Sequence, residues 1–341
     1  MGGAPAGDAE PRYAELHCTS NFSFLEGASH PEELVRRAAA LGYEALAITD
    51  RATLAGIVRA HGTARQEGIR LVVGASLEPV DAAPLVVWAA DRSGYANLCR
   101  LLTLGHAQGA DAEATPGAAA ARCRLAFADV ANHSDGLLAG VPLARLVKAG
   151  DHGADPVVAA VAHLRRWSEV FDDRLVALAE VALEGDDAER LAWFAHVAGR
   201  AGVPVAAAGD VRYHERGRLP LHDALAAVRH GATVDAIRGR LLANGERHLH
   251  DRRRIAERFA ALPGALDRAA EVAARCTFAL DELRYAYPDA TVPPGASARD
   301  HLADLVWQGA HARYPAGVPE KVRRKSALII QNLHEPGFAG A

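Results

Sequence analysis

The sequence of 341 residues contains only three lysines and four cysteines, and no long hydrophobic run. The cysteines are scattered and form no Cys-x-x-Cys pair, which argues against a zinc ribbon or a disulfide framework and predicts reduced thiols. No stretch of about 20 residues is free of charged or polar side chains, so no transmembrane helix is expected. The formal net charge is −4, so the chain as a whole is not an electrostatic nucleic-acid binder, and any basic surface must be local.

Several short motifs are also absent. The first residues lack a basic region followed by an apolar run, which excludes a secretory signal; residues 1–12 are expected to form a disordered leader of a cytoplasmic protein. No glycine-rich phosphate loop and no nucleophile elbow occurs, so the P-loop and α/β-hydrolase classes receive no support.

Short apolar segments alternate with helical ones over the first two hundred residues. Strands are predicted at 44–49, 70–77, 84–90, 136–141, 174–183 and 203–208. Most are apolar throughout, which is typical of strands buried on both faces of a parallel sheet. Helices are predicted at 32–41, 54–66 and 187–201, the first beginning at a capping box of Ser29 and Glu32. Six or more such units predict right-handed crossovers and favour a (β/α) barrel over an open sheet.

Polar residues follow the ends of several of these strands: His17, Asp50, Asp91 and Asp210. In a barrel the carboxyl ends of parallel strands form one face, where such folds place their chemistry. The pattern predicts a site at that rim.

Further along, composition predicts loops at 105–122 and 149–154, helices after residue 220 and a basic run at 238–258. The expected division is a barrel at 13–235, a basic helical segment at 236–280, and an extended connector with further helices at 281–341.

Residues 13–50, from YAELHCTSNF to EALAITD, resemble the N-terminal PHP domain (polymerase and histidinol phosphatase type) of bacterial C-family DNA polymerases, and within that family the error-prone paralogue of the alpha subunit. Matching segments follow in order, among them DRSGYANLCRLLTLG at 91–105, VPVAAAGDVRYHER at 203–216 and RCTFALDELRYAYP at 275–288. The resemblance extends to about residue 325. It implies an α/β fold, a PHP-type distorted (β/α) barrel followed by a mostly helical segment leading toward a palm domain.

The resemblance also implies a set of metal ligands. Active PHP enzymes gather two or three metal ions with a His-x-His, an Asp-His pair, a Glu and a late Asp-x-His, and so activate water against a phosphoester. At the matched positions this sequence keeps His17, Asp50 and Asp210. The other matched positions carry Thr19, Arg51, Ser76 and Arg212, with Glu78 two residues beyond Ser76.

Two of the replacements are arginines, whose fixed charge repels a divalent cation and can instead pair with the remaining carboxylates. We therefore expect Asp50 and Asp210 to be held by Arg51 or Arg212, and the three remnant ligands to be unoccupied. Weak binding of a single metal ion is the alternative. No cofactor is expected in this chain.

The remaining candidates have ordinary structural interpretations. His222 and Asp223 are adjacent on a predicted helix and so point about 100° apart, which favours packing or capping roles. The basic run is most simply a solvated face. Phosphate contacts with DNA are the alternative, since arginine-rich faces position nucleic acid without reading its sequence. The possible DNA contacts are Arg247, Arg252, Arg253 and Arg254.

Polymerase chemistry needs two Mg²⁺ ions held by palm carboxylates. In the C family an Asp-x-Asp pair and a further Asp supply these carboxylates beyond the matched segment, and no Asp-x-Asp occurs here. The resemblance thus implies an N-terminal fragment, truncated before the palm and inactive alone, of a DNA-directed polymerase (a nucleotidyltransferase) that serves damage-induced, lesion-tolerant synthesis. The full-length family member would use Mg²⁺, DNA, accessory mutagenesis proteins and a sliding clamp, and no membrane. The alternatives are a stand-alone PHP-type metal-dependent phosphoesterase and an unexpressed or unstable pseudogene product.

Overall fold

The computed structural model describes residues 10–110, 123–148, 155–283, 292–293 and 295–332. The chain divides into two compact units, Met1–Glu282 and Leu283–Ala341. The first unit contains all the strands found in the described residues. No helix in these ranges is long and apolar enough to cross a membrane.

The first unit is built on seven strands whose spatial order follows the chain. They are β1 (Ala14–Glu15), β2 (Ala45–Ile48), β3 (Arg70–Leu77), β4 (Leu85–Ala89), β5 (Leu137–Pro142), β6 (Leu175–Glu180) and β7 (Val205–Ala208). Every strand predicted from an apolar segment is present within a few residues of its expected bounds. The residues of β2, β4, β5 and β6 are all buried, as expected for strands covered on both faces.

The strands are not all parallel, however, and the prediction of a purely parallel sheet is wrong at β4. This strand pairs antiparallel with both β3 and β5, whereas β1, β2 and β3 are parallel, as are β5, β6 and β7. A parallel crossover needs a dozen or more residues, and only residues 78–84 separate β3 from β4. The short link forces the chain to turn back.

The sheet nearly closes on itself just beyond β1 and β7. Cys18 and Val211 form a parallel bridge. The Thr19 amide donates to the Val211 carbonyl at 2.8 Å, and the Val211 amide donates to the His17 carbonyl at 2.9 Å. These bonds join the first strand to the last, so the predicted barrel is confirmed.

Helices cover the outside of the barrel. They are α1 (Pro31–Ala40), α2 (Ile57–Glu67), α3 (Arg92–Ala110), α4 (Phe127–Asn132), α5 (Leu143–Lys148), α6 (Pro156–Phe171), α7 (Asp187–Ala201), α8 (Leu219–His230), α9 (Arg252–Arg258) and α10 (Ala265–Arg275). Short 3-10 turns occupy Asp172–Arg174, Arg216–Arg218, Asp235–Arg240 and Leu280–Glu282. The predicted segments 13–235 and 236–280 lie in the same unit, and α10 packs on β7 and β1. The second unit contains α11 (Ala298–Arg313) and α12 (Glu320–Asn332).

Two local predictions about helices are wrong. The capping box of α1 is formed by His30 and Glu33, one residue later than predicted, and the Glu33 carboxylate accepts from the His30 amide at 2.8 Å. Ser29 instead accepts from the amide of His214 at 2.9 Å. Residues 105–110 of the loop predicted at 105–122 are helical instead, since α3 runs to Ala110. A Cβ at Gly105 would lie 2.5 Å from Cys123 Sγ, so this glycine serves close packing. Residues 111–122, residues 149–154, residues 1–9 of the expected leader and most of the expected connector lie outside the described residues.

The barrel core contains large side chains that satisfy their polar atoms on nearby backbone. Trp88 of β4 is fully buried, and its indole N–H donates to the Leu16 carbonyl at 2.9 Å. Gly140 on β5 faces this ring, and a Cβ there would lie 2.5 Å from Trp88 Cη2. The interior is therefore filled rather than open, and the space for a site lies at the rim.

Candidate functional site at the barrel rim

The predicted remnant ligands lie where the sequence placed them, at the carboxyl ends of β1, β2 and β7. His17, Asp50 and Asp210 each follow their strand by two residues, and all three are buried. His17 Nδ1 lies 3.9 Å from Asp210 Oδ1. Asp91 does not join them, because β4 is antiparallel and ends at the opposite end of the barrel. The Asp91 carboxylate instead caps α3, accepting from the Gly94 amide at 2.8 Å.

His17 is bound by a residue that was not among the predicted site residues. Its Nδ1 lies 2.5 Å from Oε1 of Glu180, the last residue of β6, and both side chains are buried. The signal was present in the sequence, since Glu180 is the one charged residue of the otherwise apolar strand LVALAE. A buried charge in a strand requires a partner, and here that partner is the remnant imidazole.

Asp50 is held by serine hydroxyls, and the prediction that an arginine would hold it is wrong. Ser20 Oγ donates to Asp50 Oδ2 at 2.6 Å, and Ser23 Oγ donates to Asp50 Oδ1 at 2.7 Å. The Ser20 amide adds a bond at 2.8 Å. Burial raises the pKa of Asp50, and the hydrogen bonds from Ser20 and Ser23 oppose that rise only in part.

Arg51 points away from the neighbouring Asp50, as consecutive residues in extended chain do. Its guanidinium lies 2.7 Å from Glu26 and 2.5 Å from Glu78. Thr19 and Ser76, the other changed positions, take part in the backbone ladder that joins neighbouring strand ends. The Ser76 amide donates to the Asp50 carbonyl at 3.1 Å, and the Ser76 carbonyl accepts from the Ala52 amide at 2.9 Å.

Asp210 is clamped between two guanidinium groups. Arg212, as predicted, lies 2.7 Å from Oδ1, and Arg247 lies 2.5 Å from Oδ2. Burial alone would raise the pKa of Asp210, but the charges of Arg212 and Arg247 outweigh it and hold the pKa well below its usual range. Asp210 also has a φ of 44°, in the left-handed region that aspartate tolerates better than most residues. The two ion pairs stabilise this backbone conformation.

These contacts decide whether the residues present fit the metal cluster of the PHP fold. The Asp50 oxygens accept from hydroxyl and amide groups, the Asp210 oxygens face fixed positive charges, and Nδ1 of His17 faces a carboxylate. No group of three His, Cys, Asp or Glu side chains within the described ranges is arranged to hold a metal ion. The residues therefore do not fit a cluster of two or three divalent ions.

Beside the clamped Asp210 lies a cavity of about 350 Å³ lined mainly by charged side chains. Its arginines are Arg51, Arg145, Arg190, Arg212, Arg229, Arg240 and Arg247. Its carboxylates are Glu26, Glu78, Glu180, Glu184 and Asp210. Most of these residues come from loops and helices that are distant in sequence, so sequence spacing gave no sign of the cavity.

The four arginines predicted as possible DNA contacts occupy different surroundings. Arg247 is largely buried in the cavity wall, Arg252 forms an ion pair with Glu10, and Arg254 lies 2.8 Å from Glu246. Arg253 has an exposed side chain. No finding tests whether any of them contacts DNA, and that role stays a prediction.

The basic run is not the uniformly solvated face that was expected. Glu246 is buried and lies 2.8 Å from both Arg254 and Arg258. His250 is buried as well, with Nε2 2.9 Å from the Glu246 carbonyl, and burial lowers its pKa to about 4. Part of the basic run is thus a cluster packed around the Glu246 carboxylate.

Comparison with known proteins identifies what this chain is similar to. The family model described as the PHP domain matches residues 15–181. An error-prone DNA polymerase of Rhodopirellula baltica is 44% identical over 96% of this chain and 28% of that protein. Error-prone DNA polymerases of Rhodopseudomonas palustris and Bordetella parapertussis are each 41% identical over 96% of this chain, covering 29% and 31% of those proteins. The chain thus spans about three tenths of the length of these curated relatives.

Proposed function

Over the region that it spans, the chain belongs to the error-prone DNA polymerase family, and from this premise we propose that it is the PHP-containing part of a polymerase that copies damaged DNA. The observation that supports this role is identity of 41–44% across 96% of the chain to proteins of that name. The complete polymerase would carry out damage-induced, lesion-tolerant synthesis with Mg²⁺ held by palm carboxylates.

The barrel itself acts as a metal-free structural support in this proposal. Its remnant ligands are bound to protein groups, Asp50 by serines and Asp210 by arginines, so a divalent ion would have to displace well-placed donors and approach two fixed cations. A rim held together in this way provides a rigid surface for the palm or for protein partners.

DNA is the substrate proposed for the complete polymerase, and accessory mutagenesis proteins and a sliding clamp are its proposed partners in the cytoplasm. The arginines at 247, 252, 253 and 254 remain candidate phosphate contacts. Arg253 is the most accessible of the four, because its side chain is exposed whereas the other three are partly covered.

Phosphoester hydrolysis by the purified chain tests the structural role of the barrel. We expect no release of p-nitrophenol from p-nitrophenyl phosphate or its diester above the rate without protein, in buffers containing Mn²⁺ or Zn²⁺. Turnover that disappears in Asp210→Asn would overturn the structural role and favour the stand-alone phosphoesterase. Asp173→Asn, at an exposed carboxylate on the protein surface, is the matched control.

The polymerase role has an independent test in the gene. We expect the DNA that follows codon 341, read in all three frames, to encode a palm segment with an Asp-x-Asp pair. Absence of palm-coding sequence from every frame would contradict the proposal.

A further inference from the structure

The cavity at the barrel rim holds more positive charge than its own carboxylates neutralise. Seven arginines line it against five carboxylates, which leaves a formal charge of +2. Unlike lysine, arginine keeps its charge at all ordinary pH values, so the excess cannot be removed by deprotonation. Arg145 and Arg229 each expose 42% of their side chains and Arg240 is exposed, so a ligand that enters from solvent can reach this excess charge.

The excess is concentrated on three arginines that have no carboxylate of their own. Arg145 lies 3.6 Å from Glu78, and Arg229 lies 3.7 Å from Glu26. Both of these carboxylates already bind Arg51 at 2.5 and 2.7 Å. Within the described ranges, Arg240 has no ion pair, and its guanidinium lies 3.5 Å from Nδ1 of His230. These three guanidinium groups therefore present N–H donors at the cavity that no carboxylate among the described residues binds closely.

A second observation comes from buried polar atoms in the cavity wall. His222 is 9% exposed, and its Nδ1 has no hydrogen-bond partner in the part of the chain that the structure describes. The buried Nε of Arg190 is also without a partner there. Both residues line the cavity. His222 Nδ1 lies 3.9 Å from the equally unsatisfied Oδ1 of Asp223, whereas the Nε of Arg190 is a donor left over beside the cavity.

We infer that this cavity binds phosphate groups directly through arginine, without a metal ion. Guanidinium donors match the oxygens of a phosphate in pairs, and arginine is the preferred residue where such pairing occurs. A cavity of about 350 Å³ is within the size range of small-ligand sites. Its charge excess favours a ligand with two or more negative charges, which is either a free phosphate compound or consecutive phosphates of a nucleic-acid strand. The inference holds whether or not the chain belongs to a working polymerase.

Calorimetric titration of the whole chain with inorganic pyrophosphate, at constant ionic strength and in the presence of EDTA, tests the inference. We expect saturable binding, weakened about tenfold in Arg229→Gln and in Arg145→Gln, because a hydrogen bond to a charged group contributes about 1.5–3 kcal/mol. Arg229→Lys keeps the charge but loses the paired donors, and should fall between Arg229→Gln and the unaltered chain. Arg268→Gln, at an exposed arginine of α10 paired with Glu271, is the control and should bind as the unaltered chain does.

A short oligothymidylate is the second probe and identifies the source of the phosphate. Pyrophosphate binding that the oligonucleotide does not compete away assigns the cavity to a free compound, and oligonucleotide binding weakened by Arg229→Gln but not by Arg268→Gln assigns it to a strand. Failure of both probes to bind, or equal binding by the Arg145, Arg229 and Arg268 variants, overturns the inference. Unchanged thermal melting of the unliganded variants shows that their loss of binding is not a loss of fold.

Discussion

Replacing Asp210 by asparagine tests how the barrel rim is held together. The substitution removes the charge that faces Arg212 and Arg247 and keeps the size of the side chain. Asparagine also tolerates the left-handed backbone at this position, where φ is 44°. Alanine would add backbone strain of about 1–2 kcal/mol, so the cost of the lost charge could not be separated from the cost of the strain.

The magnitude follows from the partners that remain. Removing one member of a buried ion pair costs about 3–5 kcal/mol, because the other charge is left uncompensated. Here Arg247 keeps Glu184 at 3.4 Å and Arg212 keeps Glu26 at 3.7 Å. We therefore expect a loss near the lower limit, about 3 kcal/mol in the free energy of unfolding.

Urea denaturation followed by tryptophan fluorescence measures this loss, because Trp88 and Trp167 are buried in the first unit. Asp173→Asn is the control, since the pair of Asp173 with Arg275 is exposed and such pairs contribute about 0–1 kcal/mol. The same comparison should show a pH effect. The lowered pKa of Asp210 stabilises the fold above the unfolded carboxyl pKa of about 3.9, and this contribution is lost as the pH falls toward the folded value. Equal losses for the two variants would refute the idea that the arginine clamp stabilises the rim.

Four further substitutions test other features of the first unit. Gly94→Ala should destabilise the barrel by about 3 kcal/mol or more, because its Cβ would lie 1.8 Å from the Gly136 carbonyl oxygen. Gly62→Ala, with open space at its Cβ in α2, should instead stabilise the barrel by about 0.5–1 kcal/mol. Urea midpoints compare the Gly94 and Gly62 variants. A destabilised Gly62 variant would be inconsistent with a helix at this position. His250→Gln should flatten the loss of stability as the pH falls from about 6.5 toward the folded pKa of about 4, because the buried imidazole takes up its proton only on unfolding; an unchanged slope in pH-dependent melting would disprove this. Arg51→His, which restores the family's ligand type, should lower the melting temperature by removing the shortest ion pairs of Glu26 and Glu78. It should not create metal binding by calorimetry, since Asp50 stays bound to Ser20 and Ser23.

The barrel was predictable because its strands are marked by continuous apolar segments between helices. The exception, β4, has the same apolar character as its neighbours, and only the shortness of residues 78–84 distinguishes an antiparallel return from a crossover. Because β4 was taken as parallel, Asp91 was expected at the same end of the barrel as Asp50 and Asp210, and it lies at the other end. Strand direction is a property of the connection, and periodicity within a strand does not report it.

The site was predictable at the strand ends and not beyond them. His17, Asp50 and Asp210 come from strands whose ends meet by topology alone. The side chains that bind them do not come from strand ends. Ser20 and Ser23 lie in the loop after β1, and Arg247 lies 37 residues beyond Asp210. Which cation reaches which carboxylate depends on side-chain direction, and a sequence rich in arginine offers too many equivalent candidates.

Direct measurement of metal binding shows whether the side chains at this rim can still hold divalent ions. The purified chain is equilibrated with excess Mn²⁺ or Zn²⁺, freed of unbound metal by gel filtration, and analysed for metal per mole of protein beside the triple variant His17→Ala, Asp50→Asn, Asp210→Asn. We expect the same sub-stoichiometric metal content in both. One or more equivalents retained by the unaltered chain and lost from the variant would contradict this expectation.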